Sequence, residues 1–452
     1  MTAVTLIYLY FHPSNDRSIF RFPPLGLGYI AAYLKRNNIS VDIVDCTFLS
    51  EEEALKRVRR SSPNIIGIQS MFSVKRKALE FARLLRQDCE LLISGGPLPT
   101  SNPEGFLQDF DVVVMGEGEE TMLELVRNFE NGSDLSNIRG IAYKDNCKVK
   151  ITPRREFIKE IDSIPFPARD LFDNRSYKDY YSRRFGYTIT PIMTTRGCPY
   201  NCDFCSRPVF GETYRARSPR NVVDEIEEVV SLGYDRIWFA DDCFTLGRSR
   251  LMGICDEMIR RRFRIGWECL SRVDSIDLEV ADKMKRAGCV RVFFGIESGN
   301  NSILTLMNKK ATIEQARDAV GLAKLSGVEV GAFFIIGYLG ETNETILDTV
   351  RFASSLPLDY LSFTLPYPIP GTPLFERVKD QMLDPEWEAP SHPGMIEHEL
   401  LYRSSFSETK LKLAIVKGYL QYYLRRYLGT HGYKLIGGPI EYLTDHLFKA
   451  LR

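Results

Sequence analysis

The fold is decided by Arg196-Gly197-Cys198-Pro199-Tyr200-Asn201-Cys202-Asp203-Phe204-Cys205, which holds three of the ten cysteines of the chain within eight positions. Three thiolates on one short loop can hold three irons of a [4Fe–4S] cluster and leave the fourth iron without a protein ligand. Clusters that only carry electrons normally have four cysteines, so an open iron indicates chemistry. The rival interpretations are buried free cysteines and a zinc site, but no nearby His or second Cys pair supplies a fourth zinc ligand. We predict Cys198, Cys202 and Cys205 as metal-binding, catalytic residues.

Composition limits the remaining possibilities. The 452 residues are 44% hydrophobic, which suits two or three packed domains. Lys plus Arg equals Asp plus Glu at 59 each, so no net field steers the chain toward nucleic acid. No apolar run reaches the roughly 18 residues of a membrane span, and the first ten residues do not resemble a secretory signal. The cysteines are too sparse for a disulfide framework, which favours a reducing cytoplasm.

The first 145 residues alternate short apolar segments with amphipathic ones. Strands are predicted at 4–10, 41–45, 64–69, 91–94 and 111–115, and helices at 25–37, 74–87 and 119–130. Continuous apolar strands separated by helices are typical of a parallel sheet covered on both faces. We therefore predict an α/β, doubly wound (Rossmann-like) domain at 1–145, whose ligand binds beyond the carboxyl ends of the strands.

Three loops follow strands three, four and five of this domain. They contain Ser70-Met71-Phe72, Gly95-Gly96-Pro97 and Gly116-Glu117-Gly118. Glycines at such turns let the backbone approach a large ligand closely. A dinucleotide site is a competing interpretation, although no G-x-G-x-x-G follows the first strand. A structural domain that has lost its ligand is a third.

From Thr188 the alternation of strands and helices resumes. Six strands are predicted, at 188–195, 236–240, 264–270, 290–295, 329–336 and 360–365. Six units are too few to close an eight-stranded barrel, and active sites of β/α barrels lie at the carboxyl ends of the strands. The cysteine loop follows the first of these strands, which places the cysteines at that end.

The cysteine triplet, the glycine-bearing loops and the segment 366–374, Pro-Tyr-Pro-Ile-Pro-Gly-Thr-Pro-Leu, resemble the B12 (cobalamin)-dependent radical S-adenosylmethionine (SAM) enzymes. The resemblance implies a partial (β/α)6 barrel at 186–375 that is open on one side to substrate and corrin. It also implies that SAM chelates the open iron and that one electron splits SAM into methionine and a 5′-deoxyadenosyl radical.

The resemblance further implies a SAM site built from residues that follow the strands. These are Phe204, Asp241, Asp242, Arg272, Glu297, Ser298, Ile336 and Gly337. In this arrangement Phe204 and the turn at Ile336 flank adenine, the aspartate pair accepts hydrogen bonds from the ammonium, and Arg272 offers its fork of donors to the methionyl carboxylate. Leu339 departs from the family, which often has Pro at that position.

The same resemblance implies that the three loops of the first domain bind cobalamin. The D-x-H-x-x-G motif that supplies a cobalt ligand in many B12 proteins is absent. His12 is the one histidine near a relevant loop and is an alternative ligand. The family suggests instead that Ser70, Met71 and Phe72 lie beneath the corrin, which would leave the lower face of cobalt weakly coordinated and favour a methyl donor to a radical.

Two further segments complete the predicted organisation. Residues 146–185 are rich in prolines and charges and are predicted as a linker, with a small hairpin at 138–151. Residues 376–452 are predicted as a small, mainly helical domain, with amphipathic helices at 407–427 and 439–451. A basic face over an aromatic core is one interpretation of this domain, and a substrate-selecting lid over the barrel is the other.

The function expected from these features is C-methylation of an unactivated carbon, with a [4Fe–4S] cluster, SAM and cobalamin as cofactors and an external electron donor. An sp3 carbon has no lone pair to attack SAM, so a radical must be formed first. The small C-terminal domain is similar to that of a subgroup that methylates a glutamine side chain of methyl-coenzyme M reductase, so a protein or peptide substrate is expected. The alternatives are a cobalamin-dependent radical SAM cyclase without methyl transfer and a non-catalytic corrin or cluster sensor.

Overall fold

Two sheets of mainly parallel strands form the frame of the computed structural model, which describes residues 2–11, 19–146, 148–383 and 399–451. The first sheet has seven strands: β1 (Ala3–Tyr8), β2 (Ser40–Asp45), β3 (Ile65–Gln69), β4 (Leu91–Gly95), β5 (Val112–Val114), β6 (Ile141–Asp145) and β7 (Lys148–Ile151). Their order is β2-β1-β3-β4-β5-β6-β7, parallel from β2 to β5 and antiparallel from β5 to β7. The doubly wound domain is thus confirmed, and the predicted hairpin extends its sheet past residue 145.

Five helices belong to this sheet: α1 (Leu25–Arg36), α2 (Glu51–Arg60), α3 (Lys75–Leu85), α4 (Pro97–Ser101) and α5 (Glu119–Asn131). Because β3 and β4 are covered on both faces, their central residues are buried and apolar, as in parallel sheets generally. The sequence did not predict α2, which begins with a capping box between Ser50 and Glu53. The linker region contains a further unpredicted helix, α6 (Asn174–Phe185).

The second sheet contains the six predicted barrel strands in parallel. They are β8 (Ile189–Ile192), β11 (Arg236–Phe239), β12 (Gly266–Ser271), β13 (Cys289–Glu297), β14 (Glu329–Ile335) and β15 (Tyr360–Thr364), in the order β15-β14-β13-β12-β11-β8. Two short strands, β9 (Thr195–Arg196) and β10 (Arg215–Ala216), pair beside it. Helices α7 (Pro219–Ser231), α8 (Arg248–Arg260), α9 (Leu278–Arg286), α10 (Asn301–Leu306), α11 (Ile313–Leu325), α12 (Asn343–Ser355) and α13 (Pro373–Val378) complete the (β/α)6 architecture.

Aromatic residues from the first domain fill part of the barrel interior. The ring of Phe20 lies 5.1 Å from Trp238, 5.5 Å from Phe293 and 6.4 Å from Tyr360, measured between ring centroids. These three residues come from β11, β13 and β15, so Phe20 reaches strands on both sides of the partial barrel. The first domain therefore closes part of the opening that an incomplete barrel leaves.

Two C-terminal helices, α14 (Glu408–Gly432) and α15 (Gly438–Ala450), follow the barrel, joined by a π-helical turn at Tyr433–Gly437. A break in α14 occurs at Gly429, whose φ is 62°. The helix packs along α12 and against Phe363 of β15, and its first turn reaches the loop after β14 through Leu411. The predicted lid role stays a prediction. Within the described ranges, no helix combines the length and hydropathy needed to cross a membrane.

Candidate functional site

The cysteine loop leaves β9 at Gly197, a position that only glycine can occupy. Its φ is +82°, and a Cβ there would lie 1.9 Å from the carbonyl oxygen of Thr213. Arg207 holds the loop in shape by donating to the carbonyl oxygen of Cys198 at 2.7 Å and to that of Tyr200. The segment after β13 supports it from the other side, since Asp203 N donates to Met307 O at 3.0 Å. The three cysteines are thus presented on a backbone fixed by its own hydrogen bonds.

The thiols of this loop are withdrawn from water. Cys202 is buried, and Cys198 and Cys205 are half-buried. Burial raises the pKa of Cys198 and raises that of Cys205 to about 12. In the described ranges, no group of three or more His, Cys, Asp or Glu side chains is arranged around a single ion position. A [4Fe–4S] cluster, by contrast, places each thiolate on a different iron, so three spaced thiols on one loop suit a cluster.

The aspartate pair after β11 divides into two different roles. Asp241 is fully buried and accepts hydrogen bonds from Thr194 N at 2.6 Å and Thr195 N at 2.9 Å. It therefore fixes the strand that leads into the cysteine loop. Asp242 is accessible to solvent through a cavity, yet it is surrounded mainly by protein, and this burial together with Asp241 raises its pKa. Of the pair, Asp242 is the carboxylate that is open to a ligand.

A buried ion pair follows β13, close to the cysteine loop. Lys309 Nζ lies 3.0 Å from Glu297 Oε1, and Glu297 has a φ of +73° at the end of the strand. Burial opposes the charged form of Lys309, but Glu297 and Cys202 outweigh it and raise its pKa. The strained backbone of Glu297 and the buried charge of Lys309 are features that commonly mark functional sites.

Arg272 is engaged with its own surroundings. Its Nε and Nη2 donate to the two carboxylate oxygens of Asp274 at 2.9 and 2.8 Å, and Nη2 also reaches the carbonyl oxygen of Lys309 at 2.9 Å. The guanidinium stacks 3.6 Å above the ring of Tyr200 in the cysteine loop. Arg272 thus supports both the cysteine loop and Lys309, and its predicted contact with the methionyl carboxylate stays a prediction.

The remaining predicted SAM residues surround the same end of the barrel. The ring of Phe204 lies 6.5 Å from Tyr338 and 5.9 Å from Lys309 Nζ. Ser298 bonds to Thr349 at 3.1 Å, so its hydroxyl already has a partner. Ile336 N donates to Thr364 O at 2.8 Å, which ties the turn after β14 to β15.

The glycine after Ile336 is held by a buried carboxyl group. Gly337 N and Tyr338 N donate to Glu341 Oε2 at 2.5 and 2.9 Å, while Glu341 Oε1 has no partner among the described residues. Burial raises the pKa of Glu341 to about 8, against the effect of these two N–H donors. The turn at Gly337 is therefore shaped by a side chain four residues later.

A second site lies in a cavity of about 360 Å³ between the two domains. Its walls come from the first domain and from the barrel, and they include the predicted Gly95, Gly96, Pro97, Gly116, Glu117 and Gly118. Barrel residues on the opposite wall are Met193, Arg196, Asp242 and residues 206–210, which directly follow the third cysteine. The cavity and the cysteine loop are therefore adjacent.

The inner part of this cavity is apolar and extends toward the sheet, between Leu6, Gly67 and Ile93. Gln69, the last residue of β3, also lines the cavity, and its buried Oε1 has no hydrogen-bond partner among the described residues. Gly96 has a φ of +110°, and a Cβ there would meet the carbonyl oxygen of Ser70 at 2.7 Å. Glycine loops that let the backbone come close, together with an amide oxygen that lacks a partner, suit a corrin. A corrin is large and flat, and amide N–H groups stand along its edge. The residues present therefore fit cobalamin.

The next three residues of the β3 loop do not line the cavity. The hydroxyl of Ser70 is buried, and the ring of Phe72 lies 6.2 Å from Tyr367 in the segment after β15. Corrin contact by Ser70, Met71 and Phe72 stays a prediction. His12, the alternative cobalt ligand, lies outside the described residues.

A buried ion-pair network joins the cavity to the cysteine loop, and we call it the clasp. It consists of Glu117, Glu119, Arg196 and Arg215. Arg196 Nη1 donates to Glu117 Oε1 at 2.7 Å and Arg196 Nη2 to Glu119, while Arg215 Nη1 donates to the two Glu117 oxygens at 2.9 and 3.0 Å. Burial opposes the charge on Arg196, but the two carboxylates raise its pKa. Both carboxylate oxygens of Glu117 already accept hydrogen bonds within the clasp. The backbone of Glu117 is therefore the part that can contact a ligand in the cavity.

Lys309, Gln69, Arg207 and Arg215 are site residues that the sequence analysis did not assign. Gln69 ends a predicted strand, so its place next to the β3 loop was a usable signal. Nothing in the local sequence distinguishes the buried Lys309 from its exposed neighbour Lys310.

Two family models match the chain. The Radical SAM superfamily matches residues 192–353, which contain the cysteine loop and most of the barrel, and the B12 binding domain matches residues 17–126, which contain most of the first sheet. The two matches fall on opposite sides of the cavity described above.

Curated relatives align over most of the chain. The chain is 35% identical over 414 residues to an uncharacterized methyltransferase of Pyrococcus horikoshii, covering 89% of this chain and 88% of the relative. It is also 30% identical over 395 residues to the anaerobic magnesium-protoporphyrin IX monomethyl ester cyclase of Rubrivivax gelatinosus. That alignment covers 84% of this chain and 70% of the cyclase.

A solved structure shares the fold. It is the radical SAM methyltransferase TsrM of Kitasatospora setae with cobalamin and a [4Fe–4S] cluster bound, which aligns with a TM-score of 0.70 at 21% identity over 84% of this chain and 78% of TsrM. With both family models matched, and with a methyltransferase relative aligned over most of its length, this chain belongs to the cobalamin-dependent radical SAM family, methyltransferase type, whose cofactors are a [4Fe–4S] cluster, SAM and cobalamin.

Proposed function

We propose that the chain is a C-methyltransferase that removes hydrogen from an unactivated carbon and places a methyl group there. The observation that carries the proposal is the shared cavity. Residues 206–210 directly follow Cys205 and line the same space as the glycine loops of the first domain. When bound, the cluster with SAM supplies a carbon-centred radical, and the corrin supplies the methyl group. A substrate carbon in this space is within reach of both chemistries.

In this proposal the cysteine loop holds the cluster through Cys198, Cys202 and Cys205. Arg207 keeps the loop in shape through its bonds to loop carbonyls, and Asp241 keeps β9 in place beneath it. Asp241 acts by position, because both of its carboxylate oxygens already accept hydrogen bonds from the protein.

Charged side chains near the loop are suited to the two ends of the methionyl part of SAM. Asp242 and Glu297 are carboxylates that can accept hydrogen bonds from an ammonium, and Lys309 is a buried cation that can pair with a carboxylate. Phe204, 5.9 Å from Lys309, offers an aromatic surface for adenine. This assignment gives Lys309 the role predicted for Arg272, because Nε and Nη2 of Arg272 already donate to Asp274 and to the carbonyl oxygens of Lys309 and Lys310.

The first domain would hold the corrin between Gly95-Gly96 and Gly116–Gly118. The backbone approaches closely at these glycines, and Gln69 offers an acceptor to a corrin amide. The apolar interior between Leu6, Gly67 and Ile93 excludes water from the inner part of the cavity. Excluding water protects a radical from quenching side reactions.

The domain limits at 145, 185 and 375 remain proposals, as does the reducing cytoplasm as the working compartment. The compartment is supported by the nine described cysteines, all of which are free thiols. An external one-electron donor is required, since the proposed cleavage of SAM consumes an electron. A protein-borne glutamine remains the substrate to test first.

The decisive experiment incubates the reconstituted chain anaerobically with SAM, cobalamin and a reductant. Formation of both S-adenosylhomocysteine and 5′-deoxyadenosine supports methyl transfer, and a glutamine-containing peptide that gains one CH2 by mass spectrometry identifies the acceptor. The Cys202→Ala variant should lose 5′-deoxyadenosine, whereas Cys89→Ala, a half-buried cysteine of the first domain, should not. Absence of both products from the intact chain would leave the sensor hypothesis.

A second candidate is a radical cyclase that uses cobalamin without methyl transfer. It is favoured by the 30% identity to the cyclase of Rubrivivax gelatinosus. The same incubation separates the two candidates. A cyclase forms 5′-deoxyadenosine with little S-adenosylhomocysteine and gives a product without added mass from a methyl group.

A further inference from the structure

The C-terminal helices carry most of the large apolar side chains that the described residues leave in water. Eleven of the nineteen such side chains lie between 413 and 451. They are Leu413, Val416, Leu420, Tyr423, Tyr427, Leu435, Ile436, Tyr442, Leu443, Leu447 and Leu451. We call this set the apolar hairpin face. Chance placement of exposed hydrophobic residues would scatter them over the chain.

On α14 the exposed residues form one stripe. Leu413, Val416, Leu420, Tyr423 and Tyr427 are spaced alternately by three and four positions, which places them on one side of a helix. The opposite side of α14 is buried against α12 and β15. The stripe is therefore additional to the face that attaches the helix to the barrel.

On α15 two of the exposed residues border that stripe. Lys417 of α14 contacts Thr444 at 2.8 Å, and Lys449 pairs with Glu344 of α12 at 2.6 Å, which fixes the rotation of α15. Leu447 and Leu451, three and seven positions after Thr444, lie on the α14 side of the helix. The two helices thus present neighbouring apolar rows.

The turn between the helices is apolar as well. Leu435 is 74% exposed and Ile436 is 52% exposed in the π-helical turn, and Tyr427 and Tyr442 stand on either side of it in sequence. Two exposed aliphatic residues at the tip of a helical hairpin suit insertion into an apolar medium. Tyrosines, with an apolar ring and a polar hydroxyl, favour the boundary between such a medium and water.

The charge of this region is positive although the whole chain is neutral. Between residues 408 and 451 there are seven Lys or Arg and three Asp or Glu. All three acids are paired: Glu408 with Lys412, Glu441 with Arg351 and Asp445 with Lys417. Four of the seven cations are paired too: Lys412 with Glu408, Lys417 with Asp445, Arg425 with Glu441 and Lys449 with Glu344. Among the described residues, the exposed Arg426 and Lys434 have no acidic partner, so the unneutralised charge near the turn is cationic, which suits an anionic partner.

A second copy of the chain fits this face less well. If α14 paired with itself in parallel along the stripe, the exposed Arg426 of each copy would lie beside the seam, and like charges there oppose pairing. Pairing through α14 alone would also leave the tip and α15 in water. A flat anionic surface contacts both helices and the tip together.

We propose that the apolar hairpin face docks the enzyme on an anionic lipid bilayer, with Leu435 and Ile436 entering the interface and the neighbouring cations contacting headgroups. Eleven side chains about half exposed amount to on the order of 1,000 Å² of apolar surface, above the few hundred usual for a monomer.

The test is flotation of the reconstituted full chain with vesicles of phosphatidylcholine and phosphatidylglycerol in a two-to-one ratio, beside vesicles of phosphatidylcholine alone. We expect binding to the anionic vesicles that weakens with added salt. Leu435→Glu should reduce binding at least about tenfold, because it replaces an inserted apolar side chain with a charge. Leu325→Glu is the matched control: Leu325 is also 74% exposed but lies on α11, and we expect no change. Lys434→Gln should reduce anionic binding about fivefold.

Cluster absorbance and bound cobalamin establish that each variant is folded. The proposal is overturned if the intact chain does not float with anionic vesicles. It is also overturned if Leu435→Glu and Leu325→Glu float equally. A concentration-dependent dimer in sedimentation that Leu435→Glu disrupts, without vesicle binding, would assign the face to a second copy instead. Activity assays do not enter this test, so its outcome is independent of the proposed methyl transfer.

Discussion

Replacing Glu117 with Gln tests the clasp between the corrin cavity and the cysteine loop. The almost fully buried carboxylate receives hydrogen bonds at 2.7–3.0 Å from Arg196, Arg215 and the backbone N–H of Ile158. In the variant Arg196 keeps Glu119, whereas Arg215 loses the carboxylate that it contacts. Removing one member of a buried ion pair costs about 3–5 kcal/mol, because the other charge stays out of water uncompensated.

Urea denaturation of the chain without cofactors, followed by circular dichroism, measures this cost. We expect Glu117→Gln to lower the free energy of unfolding by about 3–5 kcal/mol. It should also lower the cobalamin retained per chain, because residues 116–118 form part of the cavity wall. The matched control is Glu120→Gln, three positions later in the first turn of α5. Glu120 is 42% exposed and lies 3.5 Å from Arg155, so its loss should cost less than about 1 kcal/mol.

A double replacement separates the charge effect from loss of packing. Glu117→Met combined with Arg215→Met removes both charges and leaves neither unpaired, so it should recover much of the stability lost by Glu117→Met alone. The reasoning is refuted if Glu117→Gln costs no more than Glu120→Gln. It is refuted equally if the double variant is less stable than the two single changes predict together.

Three other predictions concern the barrel and the corrin loops. Lys309→Met should raise the dissociation constant for SAM at least about 30-fold in equilibrium binding, while Lys310→Met, its exposed neighbour, should leave it unchanged. The pKa of Glu341 is raised to about 8, so the folded chain binds the proton on Glu341 more tightly than the unfolded chain does. The free energy of unfolding should therefore fall by up to about 1.4 kcal/mol per pH unit as the pH rises from about 4.5 to 8. Glu341→Gln should flatten that slope in denaturation curves. Gly96→Ala should cost about 1–3 kcal/mol, whereas Gly321→Ala, where a Cβ meets nothing, should not destabilise the chain in the same assay.

The strands could be predicted from the sequence because each is a buried apolar run bounded by polar or glycine residues. The prediction at 290–295 lies inside β13 (Cys289–Glu297), and that at 111–115 contains β5 (Val112–Val114). Helix α2 was missed for a physical reason: it is short, and its three apolar residues, Ala54, Leu55 and Val58, stand among seven charged ones. The capping signature at Ser50 and Glu53 was the available signal.

The site could be predicted where its chemistry is local in sequence. Three cysteines within eight positions indicate a cluster without knowledge of the fold, whereas the paired glycines after a strand left a dinucleotide site open. The role proposed for Lys309 could not be predicted, because the pairing of Lys309 with Glu297, twelve positions away, and its closeness to Cys202 depend on tertiary packing. For Arg272 the sequence predicted the place after β12. The hydrogen bonds of Arg272 to Asp274 and to backbone carbonyls could be seen only in the structure.

The clasp explains why neither motif determines the site alone. Arg196 stands one residue before the obligatory Gly197 of the cysteine loop, and its guanidinium reaches Glu117 and Glu119 beside the corrin cavity. The polar side chains at this domain boundary are therefore fixed by each other. A shift of either domain would separate buried charges, which is far more costly than sliding apolar surfaces. In the proposed reaction, the distance between a methyl donor in the cavity and a radical at the cysteine loop is accordingly set by an ion pair that joins Arg196 of the cysteine stretch to Glu117 of the Gly116–Gly118 loop.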